Sequence, residues 1–188
     1  MRVEPIRELK DVRAIKRMLA VSPRDHALFV IGINTNLRAS DLLSLTVGHI
    51  RDLPVGGEIV LTEKKTGKPR RITANSEIVD AATRLLKHRQ STGEMLTDDA
   101  PLFVGQRGRL TVPTFSRMVK QWCGSVNLRG NYASHSLRKT FGYHQRVRLN
   151  TSIPELMVMF NHSSQRQTLD YLGVQQEEIR DAYLKLSY

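Results

Sequence analysis

The stretch FNHSSQRQTLDYLGV, residues 160–174, places a tyrosine nine positions after a histidine. Apolar spacing predicts one helix over 153–160 and another over 165–172. His162 then lies between the two helices, and Tyr171 lies near the end of the second. A tyrosine in such a helix can simply pack on a core. It can also act as a nucleophile if positive charge and a proton acceptor surround its phenol, whose ordinary pKa is about 10.

The chain carries a strong excess of positive charge, with 29 Lys and Arg against 18 Asp and Glu and a formal net charge of +11. Such a field favours a polyanionic partner. The segment 100–154 has no Asp or Glu, and its nine basic residues are Arg107, Arg109, Arg117, Lys120, Arg129, Arg138, Lys139, Arg146 and Arg148. A surface that is merely exposed to water normally carries a mixture of positively and negatively charged side chains. The one-sided distribution therefore strengthens the expectation of a polyanionic partner. Attraction to an anionic membrane is the alternative, but no predicted helix has the large apolar face that membrane docking requires.

Length and cysteine content indicate a single globular domain in a reducing compartment. A chain of 188 residues can bury a substantial core without disulfides. The single cysteine, Cys123, cannot form an internal bridge, and the N-terminus has no signal peptide, so we expect a cytoplasmic setting. The longest apolar run, 27–33, is far shorter than the roughly 20 residues of a membrane span, so we expect a soluble protein.

Apolar residues at helical spacing predict helices over most of the chain. They are expected within 5–20, after a Ser22 cap, after a Ser40 cap, over 76–90, and over 113–126, 136–149, 153–160, 165–172 and 175–185. The segments GHIRDL, GEIVLTE and PRRITA are short, partly β-branched and separated by turn residues, which predicts a small antiparallel sheet of three strands. The expected fold class is α+β, mainly α-helical with this three-stranded antiparallel sheet.

The sequence contains no familiar nucleotide or metal motif. It has neither G-x-x-x-x-G-K-[ST] nor a strand followed by G-x-G-x-x-G, and its six histidines lack a metal spacing such as H-E-x-x-H. The acid-free segment also lacks the carboxylates of a two-metal nuclease. We expect no cofactor and no metal ion.

Three further stretches carry cations that can approach a phosphate. In ASHSLRKTFGYH, His135 and Arg138 are three apart and are therefore neighbours on one helix face. In TNLRASDLLSL, Arg38 lies at a turn before a short helix. The hairpin TEKKTGKPRR projects Lys64, Lys65 and Lys68. Each stretch also has a simpler interpretation. His135 and Arg138 could be an ordinary surface pair, and Arg38 could be a loop arginine paired with Asp41. The hairpin tip could touch DNA phosphates without taking part in a reaction.

In chain order these pieces are Arg, Lys, His-x-x-Arg, His and Tyr, and the sequence resembles the catalytic domain of the tyrosine recombinase family, also called phage integrases. TNLRASDLLSL is similar to the family's first arginine box, and KKTGKPRR to its lysine hairpin. HSLRKTF is similar to its H-x-L-R-x-T box, and FNHSSQRQTLDY to its G-H-S-S…T…Y box. The four boxes occur in the right order over nearly the whole chain. The resemblance implies the DNA breaking-rejoining fold of that catalytic domain.

The resemblance also implies a reaction. Tyr171 would attack a DNA phosphodiester and leave a 3′-phosphotyrosyl enzyme and a free 5′-hydroxyl, which can then attack a partner strand. Because the covalent intermediate retains the bond energy, neither ATP nor metal is required. Arg38 and Arg138 would bind the two non-bridging oxygens through their forked, permanently charged donors and stabilise the pentacoordinate transition state.

The other site residues follow from the same resemblance. Lys65 matches the general acid for the departing 5′-oxygen, although the neighbouring lysines of the hairpin lie close to it. His135 fits a general base or a phosphate donor, and His162 fits a second phosphate donor. Asp41, which follows the arginine box, would orient its neighbours.

Two asparagines depart from the family pattern, because Asn36 and Asn161 stand where glycine is usual. Asparagine is the non-glycine residue that best tolerates the left-handed backbone region, so we expect both turns to be kept. We expect Asn161 to aim His162, and Gly173 to end the helix of the nucleophile. The expected DNA contacts are Lys64, Lys68, Arg70, Arg107, Arg109, Lys120, Lys139 and Arg146.

Typical family members carry an additional N-terminal DNA-clamping domain. The expectation here is a single catalytic domain over 1–188 without that core-binding domain, and a weaker, more salt-sensitive affinity for DNA. We expect monomers in solution, a tetramer on DNA, and accessory proteins that bend DNA. The C-terminal helix either packs on its own domain or docks on the neighbouring subunit of the tetramer. The expected function is site-specific DNA recombination in a prokaryotic cytoplasm, at the nucleoid. A topoisomerase-like or hairpin-forming use of the same chemistry, and a non-catalytic DNA-binding regulator, are the open alternatives.

Overall fold

A computed structural model describes residues 3–106, 108–172, 180 and 183–185. The chain divides into two compact units, Met1–Phe141 and Gly142–Tyr188. Within the described part, no helix has both the length and the apolar character to cross a membrane.

The first unit contains most of the helices and all four described strands. Its elements are α1 (Leu9–Leu19), α2 (Pro23–Thr35), α3 (Ala39–Leu42), a 3-10 helix (Val47–His49), β1 (Glu58–Thr62), β2 (Pro69–Thr73), α4 (Ser76–Ser91), β3 (Val104–Gly105), β4 (Gly108–Arg109), α5 (Val112–Ser125) and the first half of α6 (Ser134–Leu149). The second unit contains the rest of α6, α7 (Ile153–Phe160) and α8 (Gln165–Leu172).

Helix α2 is the centre of the first unit because its apolar run leaves no polar face. Its residues 27–32 are all buried, and the helix packs chiefly against α4. Phe29 meets the edge of Trp122 from α5, with ring centroids 6.1 Å apart. Gly32 lets α6 lie close to α2, since a Cβ at this glycine would come within 2.7 Å of the Leu137 side chain. This close approach brings the start of α6 next to the end of α2.

The predicted three-stranded sheet is wrong. The described residues form two separate two-stranded antiparallel sheets, β1–β2 and β3–β4. The segment GHIRDL is not a strand, because a capping box between Thr46 and His49 starts a 3-10 helix there. Asp52 then adopts a left-handed φ of 54°, which also excludes a strand. The Ser40 cap is wrong as well, since Ser40 lies inside α3 and Arg38 occupies the N-cap position.

The other helices predicted within the described residues are confirmed. The predictions over 153–160 and 165–172 match α7 and α8, and those over 113–126 and 136–149 match α5 and α6 within two residues at each end. The helix expected over 175–185 lies largely outside the described residues, as does Gly173.

Candidate active site

The turn between α2 and α3 positions Arg38. Asn36 ends α2 with φ 56° and ψ 23°, so the left-handed turn predicted at this asparagine is confirmed. Arg38 then occupies the N-cap position of α3, and its carbonyl accepts from the N–H of Asp41 at 3.0 Å. Its side chain is only 16% exposed, and Nη1 lies 2.7 Å from Glu63 Oε2 and 3.9 Å from Asp41 Oδ2. A buried pair of this kind fixes the orientation of a long side chain.

Helix α6 carries His135 and Arg138 to the same turn. The Ser136 hydroxyl accepts from the N–H of Ala133 at 3.1 Å, which helps to begin the helix. Arg138 is 3% exposed, and its Nη1 donates to the carbonyl of Asn36. The two arginine boxes therefore meet at one turn, although Arg38 and Arg138 are distant in sequence.

His135 lies in the field of these cations. Neighbouring atoms remove part of the water around its ring, and this desolvation is the largest cause that lowers the His135 pKa below its ordinary 6.5. The charges of Arg138, Arg38, Lys65 and Lys139 lower the pKa further, in that order. The imidazole is consequently neutral at pH 7 and can accept a proton. The first unit thus brings His135, Arg38, Arg138 and Lys65 into one electrostatic neighbourhood.

The lysine hairpin is tied to α3 through its backbone. Strands β1 and β2 pair from Glu58↔Thr73 to Thr62↔Pro69, and the turn between them ends at Gly67, which has φ 67°. All three lysines of this turn are exposed. The N–H of Lys64 donates to Asp41 Oδ1 at 2.9 Å, so that the carboxylate after the arginine box holds the hairpin.

In the second unit, a left-handed turn sets the direction of His162. Asn161 ends α7 with φ 55° and ψ 39°, which confirms the predicted turn. The N–H of His162 donates to the Met157 carbonyl at 3.0 Å, and the N–H of Asn161 donates to the Val158 carbonyl at 2.9 Å. This pattern is a Schellman motif, in which the residue after the left-handed position is bonded back to the helix.

The His162 ring lies beside the ring of Tyr171. Its Nδ1 is 3.0 Å from the hydroxyl of the buried Thr168, which fixes the rotation of the ring. The imidazole stacks on Phe160 with centroids 5.1 Å apart and meets Tyr171 at 5.6 Å. Phe160 also contacts Tyr171, at 5.1 Å. Histidine and tyrosine are therefore held as neighbours by one buried aromatic ring.

The predicted DNA contacts differ in exposure, and each remains a prediction. Exposed members are Lys64, Lys68, Arg109 and Lys120, while Lys139 and Arg146 are half-buried and Arg107 lies outside the described residues. Arg70 is 8% exposed and points to the interior. Burial is the first cause that lowers its pKa, and the nearby Arg38 charge lowers it too, whereas the charges of Glu63 and Asp41 oppose the change.

Sequence reasoning missed Glu63 as part of this site. Along β1, Ile59 and Leu61 point inward, and the buried Glu63 continues their alternation by one step beyond the strand. Arg70 is likewise the inward neighbour of Ile72 in β2. The period-two pattern was the signal that could have identified both buried charges.

The arrangement suits phosphate binding and proton transfer. In the first unit, cations surround a neutral imidazole, and in the second an imidazole adjoins a phenol. Among the residues that the structure describes, no group of three or more His, Cys, Asp or Glu could hold a metal ion.

Comparison with known proteins matches residues 8–178 to the model of the phage integrase family. The chain belongs to the phage integrase family. It is 32% identical over 184 residues to a protein named probable integrase/recombinase YoeC from Bacillus subtilis, a match that covers 96% of this chain and 95% of that protein. It is 30% identical to the tyrosine recombinase XerC of Caldanaerobacter subterraneus subsp. tengcongensis. That match covers 86% of this chain but only 44% of XerC. The chain thus spans nearly all of one relative and about half of another.

Solved structures share the fold of this chain. The crystal structure of XerA recombinase superposes with a TM-score of 0.78 at 23% identity, covering 100% of this chain and 65% of that one. The XerH site-specific recombinase bound to its difH substrate superposes with a TM-score of 0.77 at 21% identity. The match covers 95% of this chain and 51% of that one. These likenesses confirm the predicted catalytic-domain fold.

Proposed function

We propose that this chain is a site-specific DNA recombinase that cleaves and rejoins strands through a 3′-phosphotyrosyl intermediate on Tyr171. The Oη of Tyr171 forms a bond to the scissile phosphorus while the bond from phosphorus to the 5′-oxygen breaks. The phenolic proton goes to a base, and the departing 5′-oxygen takes a proton from an acid. Because one phosphodiester replaces another, the reverse attack by a 5′-hydroxyl rejoins a strand without a further source of energy.

Each residue has a role that fits its surroundings. Arg38 and Arg138 bind the non-bridging oxygens, whose charge grows in the transition state. His135 accepts the phenolic proton, since its lowered pKa keeps the ring neutral at pH 7. Lys65, on the exposed hairpin, protonates the 5′-oxygen. His162 donates to the phosphate from Nε2, because Nδ1 already faces Thr168.

The single observation that carries this proposal is the meeting of Arg38, Arg138 and the Lys65 hairpin beside His135. Arg138 Nη1 donates to the carbonyl of Asn36, and Arg38 Nη1 lies 2.7 Å from Glu63 Oε2 at the base of the hairpin. These cations come from three separate segments of the chain. Like charges repel, so a fold that required only stability would not collect them at one imidazole. Glu63 and Asp41 offset part of this positive charge, and a bound phosphate would supply further opposite charge.

The comparisons support a site-specific recombinase over the other possibilities. The matched relatives carry the names integrase, recombinase and tyrosine recombinase. A non-catalytic DNA-binding regulator is therefore not favoured. A topoisomerase-like or hairpin-forming use would employ the same covalent intermediate, and it differs only in which 5′-hydroxyl attacks that intermediate.

Double-stranded DNA is the proposed substrate. Structural neighbours include XerH bound to difH and a lambda integrase dimer bound to a COC′ core site. The acid-free basic segment of this chain provides matching charge. Assembly from monomers in solution to a tetramer on DNA, accessory proteins that bend the DNA, and a place at the prokaryotic nucleoid complete the proposal.

Covalent capture tests the reaction directly. The chain is incubated with a pool of duplexes that contain randomised arms, and the DNA that stays attached in denaturant is sequenced to define a site. A nicked duplex of that site, which releases its 5′-hydroxyl fragment after cleavage, should then accumulate a protein–DNA adduct.

Two variants make the test specific. Tyr171→Phe keeps the ring that packs on Phe160 and removes only the hydroxyl, and it should form no adduct. Tyr183→Phe changes a tyrosine that is 77% exposed and should react at the wild-type rate. No adduct with the wild-type chain, or an undiminished adduct with Tyr171→Phe, would contradict the proposal.

A further inference from the structure

Glu63 is a buried carboxylate that the proposed reaction does not use. It directly follows β1 and is 1% exposed, whereas Glu58 at the other end of the strand is exposed. A carboxylate removed from water is costly to bury unless cations or hydrogen-bond donors surround it. The contacts of Glu63 therefore indicate why this position carries an acid.

The side chain of Glu63 joins two parts of the proposed site. Its Oε2 lies 2.7 Å from Arg38 Nη1 and also accepts from the Thr66 hydroxyl at 2.7 Å. Arg38 belongs to the turn after α2, and Thr66 follows Lys65 in the hairpin. One oxygen atom thus contacts both the phosphate-binding arginine and the residue next to the proposed general acid.

The backbone of Glu63 forms the base of the same hairpin. Its N–H donates to the Lys68 carbonyl at 2.9 Å, and its carbonyl accepts from the N–H of Gly67 at 2.8 Å. Lys65 therefore lies in a turn that is closed by Glu63 at both the backbone and the side chain. The same turn is also held by the bond from the Lys64 N–H to Asp41 Oδ1 at 2.9 Å and by the bond from the Lys68 N–H to the Thr66 hydroxyl at 3.3 Å.

We propose that Glu63 is a positioning residue that holds Arg38 and the Lys65 hairpin in one arrangement, so that both cations meet the same scissile phosphate. This inference rests on the proposed function. A displacement of about 1 Å in a reacting group can cost on the order of a hundredfold in rate. Loss of the carboxylate should therefore impair both transition-state binding by Arg38 and proton donation by Lys65.

A change of the leaving atom in the DNA distinguishes this positioning role from a merely structural ion pair. When sulfur replaces the bridging 5′-oxygen at the scissile phosphate, the bond from phosphorus to sulfur breaks and the thiolate departs without a proton. A defect in proton donation therefore disappears on the sulfur DNA. A defect in arginine binding, or in folding, persists on both DNAs.

The experiment compares covalent cleavage rates of oxygen and sulfur duplexes that carry the captured site. We expect Glu63→Ala to be slower than the wild-type chain by about tenfold or more on oxygen DNA. This loss of rate should be severalfold smaller on sulfur DNA. The thiolate leaves without a proton, so the share of the loss that comes from impaired proton donation by Lys65 is absent there. Glu63→Gln keeps the length and one acceptor oxygen, and it should lose less rate. Lys65→Ala should recover fully on sulfur DNA, which calibrates the assay.

Glu58→Gln is the matched control. Glu58 lies on the same strand in an exposed pair with Arg71, 2.7 Å apart, so its loss should leave both rates unchanged. Wild-type rates for Glu63→Ala, or an equal deficit on the two DNAs, would overturn the inference. If Glu63→Ala does not fold, the same comparison is made with Glu63→Gln. Its loss of rate relative to the wild-type chain should be larger on oxygen DNA than on sulfur DNA, and an equal loss on both would overturn the inference. A wild-type chain that forms no adduct would instead overturn the proposed function.

Discussion

Replacement of Asn161 tests how the α7–α8 turn aims His162. The residue adopts φ 55°, where an ordinary L-residue is strained by roughly 1–2 kcal/mol and asparagine by less. Asn161→Ala should therefore lower the free energy of unfolding by about 1 kcal/mol. If the backbone relaxes instead, the bond from the His162 N–H to the Met157 carbonyl breaks, which costs about as much. For a chain of this length, about 1 kcal/mol lowers Tm by about 2–4 °C.

Relaxation of the turn would also move His162 away from Tyr171. We expect the covalent cleavage rate of Asn161→Ala to fall by about tenfold, which corresponds to about 1.4 kcal/mol of transition-state stabilisation. Asn161→Gly should keep the wild-type rate, because glycine adopts the left-handed region without strain. Thermal unfolding gives the stability, and single-turnover cleavage of the captured site gives the rate.

Asn150 provides the matched control for this prediction. It has φ 53° directly after α6 and is exposed, so Asn150→Ala introduces similar strain away from the histidine. We expect a similar loss of stability and an unchanged cleavage rate. The reasoning would be refuted if Asn161→Ala cleaved as fast as wild type, or if Asn150→Ala were slowed as much as Asn161→Ala.

Three further predictions concern the arginine, the base and the packing of α6. Arg138→Lys removes the planar, forked guanidinium and should slow cleavage by about a hundredfold. DNA binding in a gel-shift assay should change little. A variant that binds DNA more weakly but cleaves it at the wild-type rate would contradict this role. The lowered pKa of His135 means that the ring gains its proton only below its ordinary 6.5, so cleavage rates should be constant from about pH 8 to 6.5 and fall at lower pH. His135→Gln should remove that acid limb from the pH profile, and a limb that persists would exclude His135 as the base. Gly142→Ala places a Cβ 2.5 Å from Leu172 and should destabilise the protein by about 1–3 kcal/mol in urea unfolding. Gly124→Ala, whose Cβ meets nothing within 4 Å, should be neutral or slightly stabilising, and equal effects of the two changes would contradict the packing.

Features with local causes could be predicted from the sequence. Helices α7 and α8 match their predicted bounds because apolar spacing and the left-handed tendency of Asn161 act over only a few residues. The turn at Asn36 follows from the same tendency. The family resemblance supplied the candidate residues of the site, since its boxes are short and contiguous.

Features that depend on distant partners could not be predicted. The segment GHIRDL alternates like a strand, but the hydrogen bonds between Thr46 and His49 stabilise a 3-10 helix instead. The alternation along β1 and β2 places Glu63 and Arg70 on the inward side, but a buried charge also needs an opposite charge from outside its own strand. Glu63 finds that opposite charge in Arg38, which comes from another segment, and Arg70 finds it in Glu63 and Asp41.

The most direct test of the central claim is to locate the DNA attachment on the trapped protein. Tryptic digestion of the adduct, removal of the DNA by nuclease and mass spectrometry identify the peptide that retains a nucleotide. Cleavage after Arg166 and Arg180 yields the peptide 167–180, in which Tyr171 is the only tyrosine. The account predicts a nucleotide mass on this peptide, linked through the phenolic oxygen of Tyr171. A nucleotide on Tyr132, Tyr143 or any other residue would contradict it.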